Sequence, residues 1–230
     1  MLQIIAHRGA SAYEPENTIR AIKKAIELGA DAVEVDVRLS KDGQPVVIHD
    51  SIVDRTTNGS GPVASMTLEE LRALDAGKGE RIPTLEEVIG SVSHSVGLVV
   101  EVKIPGVEKK VVDILKKGGM MENSMVVSFY HRVVKAVKAL APEMRVGVIF
   151  SSYPVSPIRL AIEASADVLL PRSDYVDNKM IQKAHKLGLA IIPWTVDDPE
   201  EARRLMAMGV DGIATNRPDA IRDLRASLKR

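Results

Sequence analysis

One junction recurs along this 230-residue chain: an amphipathic helix stops at a glycine and an apolar strand starts within two residues. Leu28-Gly29-Ala30-Asp31, Leu187-Gly188-Leu189-Ala190 and Met208-Gly209-Val210-Asp211 all have this form. Glycine ends helices well because it enters left-handed backbone without a Cβ clash. Strands are predicted at 2–6, around 33–37, and at 98–103, 125–129, 146–150, 167–170, 189–195 and 211–215. Helices are predicted between them, among them 107–117, 132–140, 157–164, 179–187 and a closing one at 217–228. About eight strands alternating with about eight helices, joined by right-handed crossovers, close into a parallel α/β barrel, the (β/α)8 TIM barrel. An open doubly wound sheet is the main rival. Its dinucleotide-binding form is disfavoured because the first strand-to-helix turn, His7-Arg8-Gly9, lacks G-x-G-x-x-G.

Within that rhythm, residues 31–50, DAVEVDVRLSKDGQPVVIHD, carry the chemistry. Val33, Val35 and Val37 alternate with Glu34, Asp36 and Arg38, a period-2 strand with one apolar and one ionisable face. The β-branched face suits packing under helices, which turns the ionisable face inward. Glu34 and Asp36 then lie about 7 Å apart along the strand, where neighbouring carboxylates are costly unless a cation neutralises them. Lys41-Asp42-Gly43 makes a turn, and a short second strand at 45–48 delivers His49-Asp50 beside the first.

The stretch 51–83 breaks the alternation. It is polar and turn-prone at Arg55-Thr56-Thr57-Asn58-Gly59, then opens a short helix with a capping box at Thr67 and Glu70. It reads as an inserted segment covering one end of a single domain spanning 1–230. Thr84 and Glu87 form a second capping box that resumes the pattern. The first helix is capped by Asn17 or Thr18, and Asp198 caps another with Pro199 at its first position.

Composition bounds the function. Lys plus Arg and Asp plus Glu both count 31, so nothing marks a nucleic-acid surface. The absence of cysteine excludes disulfides and thiolate chemistry and suits a reducing compartment. No basic leader or long apolar run is present, so the expectation is a cytoplasmic protein without stable membrane insertion. A homo-oligomer is left open.

In a barrel the active face lies at the C-terminal ends of the strands. His7, Arg8, Glu34, Asp36, His49, Glu101, Lys103, Trp194, Thr215 and Asn216 are all expected there. Glu101 and Lys103, at i and i+2, face the same way. A salt-bridge network with Arg8, Arg38 and Lys103 is the bland account of the carboxylates. An oxygen-only ligand set favours instead a hard divalent ion, Mg²⁺ or Ca²⁺, with Mn²⁺ or zinc through histidine as the alternative. Arg8 and Lys103 then suit a phosphate, and His7 and His49 suit proton transfer. His94 and His185 fall on helices or their ends as surface residues, while His131 sits near the rim. The seven aromatics fall at or beyond strand ends, suggesting a collar in which Trp194 packs on substrate carbons.

His7-Arg8-Gly9, Pro15-Glu16-Asn17-Thr18, Glu34-x-Asp36, His49-Asp50, Arg55-Thr56-Thr57, Pro83-Thr84-Leu85, Glu101-x-Lys103, Trp194 and Asn216-x-Pro218 together resemble, in that order, the glycerophosphodiester phosphodiesterases. The resemblance implies a (β/α)8 barrel with a segment inserted after the second strand. It implies metal ligation by Glu34, Asp36 and Glu101, an acid/base pair in His7 and His49, and phosphate contacts from Arg8 and Lys103. The implied substrates are small glycerophosphodiesters, cleaved to sn-glycerol 3-phosphate and an alcohol. Two rivals stand beside it. An enzyme acting on intact lipid needs an apolar or basic docking rim, and a non-catalytic phosphate-ester binder has no use for two proton-transfer groups.

Overall fold

The structure, a computed structural model, describes residues 2–92 and 96–227, so His94 and Leu228 lie outside the described residues. Parallel strands β1 (Gln3–Ala6), β2 (Ala32–Leu39), β4 (Gly97–Val102), β5 (Ser124–Ser128), β6 (Arg145–Phe150), β7 (Val168–Pro171), β8 (Ala190–Ile191) and β9 (Gly212–Thr215) form the barrel wall. Hydrogen-bonded neighbours run β8-β7-β6-β5-β4-β2-β1-β9. Backbone bonds from Asp211 N to Ile191 O and from Ala214 N to Pro193 O bring β9 alongside the β8 segment and draw the ring together. A short strand, β3 (Pro45–Val47), pairs antiparallel with the end of β2.

Period-2 patterning sorts the wall into two cores. Ile4, Val33, Val35, Val37, Val100, Val126, Val148 and Ile213 face outward under the helices. Ile5, Ala32, Val99, Val127, Ile149, Leu170 and Ala214 fill the interior. Two faces buried at once explain why the strands are aliphatic and β-branched almost throughout. The sheath consists of α1 (Ile19–Glu27), α3 (Leu85–Ser91), α4 (Glu108–Lys117), α5 (His131–Leu140), α6 (Pro157–Ala164), α7 (Asn178–Lys186), α8 (Pro199–Met208) and α9 (Pro218–Ser227). None of the helices described is long and apolar enough to cross a membrane.

Between β3 and α3, the chain from 48 to 82 builds a small core of its own from Ile48, Val53, Val63, Leu71, Ala76 and Ile82. It carries the short helix α2 (Leu68–Arg72). Both capping boxes form, at Thr67 with Glu70 and at Thr84 with Glu87. The strand predicted over 189–195 shrinks to two residues of ladder. Pro193 has no N–H to donate, and the chain there turns its carbonyl to β9 instead.

Candidate active site

The ionisable face of β2 and the ends of the other strands converge as the alternation requires. His7, Arg8, Glu34, His49, Glu101, Lys103, Phe129 and Trp194 line one cavity of about 130 Å³ at the C-terminal end of the barrel. Aliphatic residues, including Val99, Val127, Ile149 and Leu170, make its floor. Asp36 is fully buried behind this lining. A larger groove of about 500 Å³ between α6 and α7 is lined mainly by lysines and aliphatics, with Tyr153 bonded to Asp177 in its wall.

Glu34, Asp36 and Glu101 are all buried, and each offers an oxygen within 4.8 Å of the others. Asp36 lies 2.9 Å from Lys103 Nζ and 3.2 Å from Arg8 Nε, and Glu101 lies 2.5 Å from the same Lys103 ammonium. Among the described residues Glu34 has no cation at ion-pair distance. It accepts only the Arg8 backbone N–H, at 2.8 Å. Burial, then the charges of Asp36 and Glu101, push the Glu34 carboxyl well above its usual range. Burial and the Asp36 charge push Glu101 up to about 7. Burial pushes Asp36 up as well, but Lys103 and Arg8 outweigh it and hold that carboxyl at about 2. Such divergence between adjacent carboxyls marks a cluster short of positive charge.

The residues present fit a divalent cation. Glu34 Oε1 is buried without a partner, while Asp36 Oδ1 and Glu101 Oε1 share the single Lys103 ammonium. A buried acceptor left open in this way is rare in native interiors, and three carboxylates each offering an oxygen within 4.8 Å of the others suit a hard ion.

Each histidine is fixed by its own partner. His7 Nδ1 lies 2.8 Å from Asn216 Oδ1. Asn216 cannot present its amino group there, because its Nδ2 donates to Asp197 Oδ2 at 2.6 Å. His7 therefore carries its proton on Nδ1 and leaves Nε2 bare. Burial, with the Arg8 charge next, lowers His7 to about 4, so it is neutral at neutral pH. His49 Nδ1 faces Asp50 Oδ1 at 2.6 Å, which likewise frees Nε2. Arg55 reaches in from the 48–82 segment to bond Asp50 Oδ2 at 2.6 Å and both oxygens of Glu16 at 2.7 and 2.8 Å. Glu16 in turn pairs with Arg8 at 3.0 Å.

Backbone geometry serves the same convergence. Gly9 has φ +80°, and a Cβ there would lie 2.6 Å from the Ala21 carbonyl carbon, so only glycine lets β1 turn against α1. Arg8 and Asn17 also adopt positive φ, at 55° and 60°, a cost of about 1–3 kcal/mol each that local bonds must offset. Asn17 shows how: its Nδ2 donates to Asp36 Oδ2 at 2.8 Å, and its Oδ1 accepts from Asp36 N at 3.1 Å.

Asn17 is thus a site residue and not the helix cap, a task that falls to Thr18. Asp197, which sequence reasoning passed over, organises the β9 end by bonding Thr215 and Asn216. The aromatic collar divides. Phe129 and Trp194 meet edge to face at 5.5 Å inside the cavity, and the indole N–H donates to Leu170 O. Phe150 turns outward into the helix-facing core, while Tyr153 and Tyr175 pair on the rim, with Tyr153 lining the outer groove. His131 lies against Ile149 O, and His185 pairs with Asp211 on the barrel exterior.

Comparison with known proteins places this geometry. Residues 7–220 match the glycerophosphoryl diester phosphodiesterase family. A glycerophosphodiester phosphodiesterase of Caldanaerobacter subterraneus subsp. tengcongensis is 42% identical over 234 residues, which covers 96% of each chain. The structure of an Oleispira antarctica phosphodiesterase in complex with the product sn-glycerol-3-phosphate superposes with a TM-score of 0.92. The two are 32% identical, over 97% of this chain and 96% of that one. A glycerophosphodiester phosphodiesterase structure from Agrobacterium tumefaciens gives 0.85 at 33% identity, covering 96% and 99%.

Proposed function

The chain belongs to the glycerophosphoryl diester phosphodiesterase family, and we propose that it hydrolyses small glycerophosphodiesters to sn-glycerol 3-phosphate and an alcohol. One observation carries the reading. Two histidines, each held through Nδ1, line a single small cavity with Glu34 and Glu101, two members of a carboxylate cluster short of cations. Residues 1–230 act in it as one catalytic domain, with 51–83 as an inserted segment that supplies Arg55 to the His49 support.

Glu34, Asp36 and Glu101 would hold one divalent cation, Mg²⁺ or Ca²⁺ before Mn²⁺. Bound there, it supplies the positive charge that a phosphodiester needs as it gains a fifth oxygen. Arg8 and Lys103 bind the phosphate oxygens from the same wall. One histidine takes the proton of the nucleophile, either water or the glycerol 2-hydroxyl, as its oxygen bonds to phosphorus. The other, which must first take up a proton from water on its free Nε2, gives that proton to the departing alkoxide as the old P–O bond breaks. Asn216 and Asp50 keep both rings aimed through these transfers. Trp194 and Phe129 pack on the substrate carbons and exclude water beside them.

Release of glycerol 3-phosphate from glycerophosphocholine, measured before and after EDTA treatment, tests the reading. Release should stop with EDTA and return with excess Mg²⁺ or Ca²⁺. No release under any added divalent ion would sink it.

A further inference from the structure

The mouth of the barrel mixes several acids and bases, and almost all of them pair. Arg8 reaches Glu16 and Asp36, Arg55 reaches Glu16 and Asp50, and Lys103 reaches Asp36 and Glu101. Arg38 does not. It is the next inward position of β2 after Asp36, half-buried, and its Nε donates to His49 O at 2.8 Å. Among the described residues that is its one hydrogen bond, and no carboxylate lies within ion-pair distance. Its neighbours in the field are Asp36, Asp50, Glu101 and Tyr130, and each of those carboxylates already has a cation of its own.

A guanidinium offers five donors in a fixed fork. Here Nε is anchored and the two terminal nitrogens are left over. The anchor puts the fork beside the backbone of His49 and one strand step beyond Asp36, outside the cavity lining. A cavity of about 130 Å³ lined by the two histidines leaves a larger alcohol outside it, and Arg38 stands on the His49 side of that opening. The partly exposed ring of Tyr130 stands in the same field.

From this we infer that Arg38 forms a head-group subsite that takes an anionic group, carboxylate or phosphate, on the substrate's alcohol. The inference rests on the phosphodiesterase reading and names a substrate class within it: glycerophosphodiesters with a negatively charged head group, ahead of the cationic choline ester. A fork anchored through Nε suits bidentate capture of two anionic oxygens. The same positive charge repels a trimethylammonium.

The test compares kcat/KM for bis(glycerophospho)glycerol, which carries a second phosphodiester, with kcat/KM for glycerophosphocholine under one saturating divalent ion and low salt. The wild-type chain should favour the anionic substrate by about tenfold or more, the usual worth of one charge-assisted contact. Raising the salt should shrink the preference, since the contact is partly exposed. Arg38→Gln should abolish it, chiefly through KM of the anionic substrate, and Arg38→Lys should keep part of it. Equal rates on both substrates in the wild type overturn the inference even if the Gln variant does not fold. A parallel fall on both substrates in Arg38→Gln also overturns it, because Arg38 then only supports His49 or the reacting phosphate. Turnover of neither substrate takes down the underlying phosphodiesterase reading as well.

Discussion

At the N-terminal end of the strands, Asp31, Asp167 and Asp211 stand just ahead of β2, β7 and β9. Each accepts a backbone N–H from the adjoining strand, from Ile4 at 2.7 Å, Val146 at 2.8 Å and Ile191 at 2.8 Å. Asp31 and Asp167 also have one cation each, Arg225 and Lys138, and Asp211 faces His185 Nε2 at 2.9 Å. At the C-terminal end, Glu34, Asp36 and Glu101 crowd together, Asp36 and Glu101 share Lys103, and Glu34 Oε1 is left without a partner. The same residue type is paired singly at one end and clustered at the other. A carboxylate with its own cation and its own N–H is finished, and it stabilises. A cluster with too little positive charge costs free energy until a ligand supplies it, which marks it as a candidate binding site.

The sharpest way to break this contrast is Glu34→Gln, which removes the one clustered carboxylate that has no cation. Its partnerless Oε1 gives the apoprotein nothing, so the melting temperature without metal should hold or rise. Divalent-ion binding and turnover should fall together, turnover on the order of 10⁴-fold, about 5 kcal/mol. Retained metal dependence with retained rate would remove Glu34 from the site. Next come His7→Gln and His49→Gln, each expected to cost about 10²- to 10⁴-fold in kcat with folding intact. A nitrophenyl ester, whose leaving group needs no proton, should rescue the variant that lacks the acid and not the other. Rescue of both, or of neither, sinks the paired assignment.

Much of this was legible from the chain because alternation leaves little choice. Once Val33, Val35 and Val37 face the helices, Glu34 and Asp36 must face in, and the same logic places Glu101 with Lys103. The recurring glycine junctions fixed the order of elements, and so which ends would meet. What escaped was side-chain traffic between distant segments. The cap read as Asn17 or Thr18, because nothing local shows that the Asn17 amide clasps Asp36 while Thr18 does the capping. Asp197 lies in a stretch predicted to link a strand and a helix, and its link to Asn216 exists only once β8 and β9 close the ring. Phe150 sits at a strand end like Trp194 but has the opposite parity, so it faces the helices.

Stability against pH sharpens the contrast further, at a few kcal/mol. In the metal-free protein Glu101 titrates at about 7 against about 4.3 in an unfolded chain. Between those values the folded state keeps a proton that the unfolded chain has lost, so stability falls as pH rises, by on the order of 3 kcal/mol. Glu34, raised in the same way, adds to this fall. His7, lowered to about 4, works the other way. Above its unfolded value its neutral form costs nothing, and that stability is lost as pH falls from about 6.5 through 4. In the wild type the two trends oppose each other across pH 4.5 to 6.5. His7→Gln should steepen the loss of melting temperature with rising pH, and Glu101→Gln should flatten or reverse it. Added Mg²⁺ or Ca²⁺ must displace the carboxyl protons, so the melting-temperature gain it gives should grow from pH 5 to 8. A gain independent of pH would break the link between the raised carboxyls and the metal.

The smallest effect belongs to the other end of the barrel. Asp167 accepts from Val146 N at 2.8 Å and pairs with Lys138 at 3.0 Å, with the carboxylate partly exposed. Asp167→Asn keeps the shape but puts a neutral oxygen on the backbone N–H and leaves Lys138 without its anion. The expected cost is about 1–2 kcal/mol, or a melting temperature lower by roughly 2–8 °C for a chain of this size. Lys138→Met keeps the bond to Val146 N and removes a half-screened ion pair together with the Lys138 Nζ bond to Met144 O at 2.9 Å, so it should cost about 1 kcal/mol. Neither change touches the mouth of the barrel, and kcat/KM and divalent-ion affinity should stay within about twofold of wild type, since sites this far apart act independently. If Asp167→Asn instead lowered turnover as Glu34→Gln does, with its melting temperature unchanged, the division of labour between paired and clustered carboxylates would be wrong.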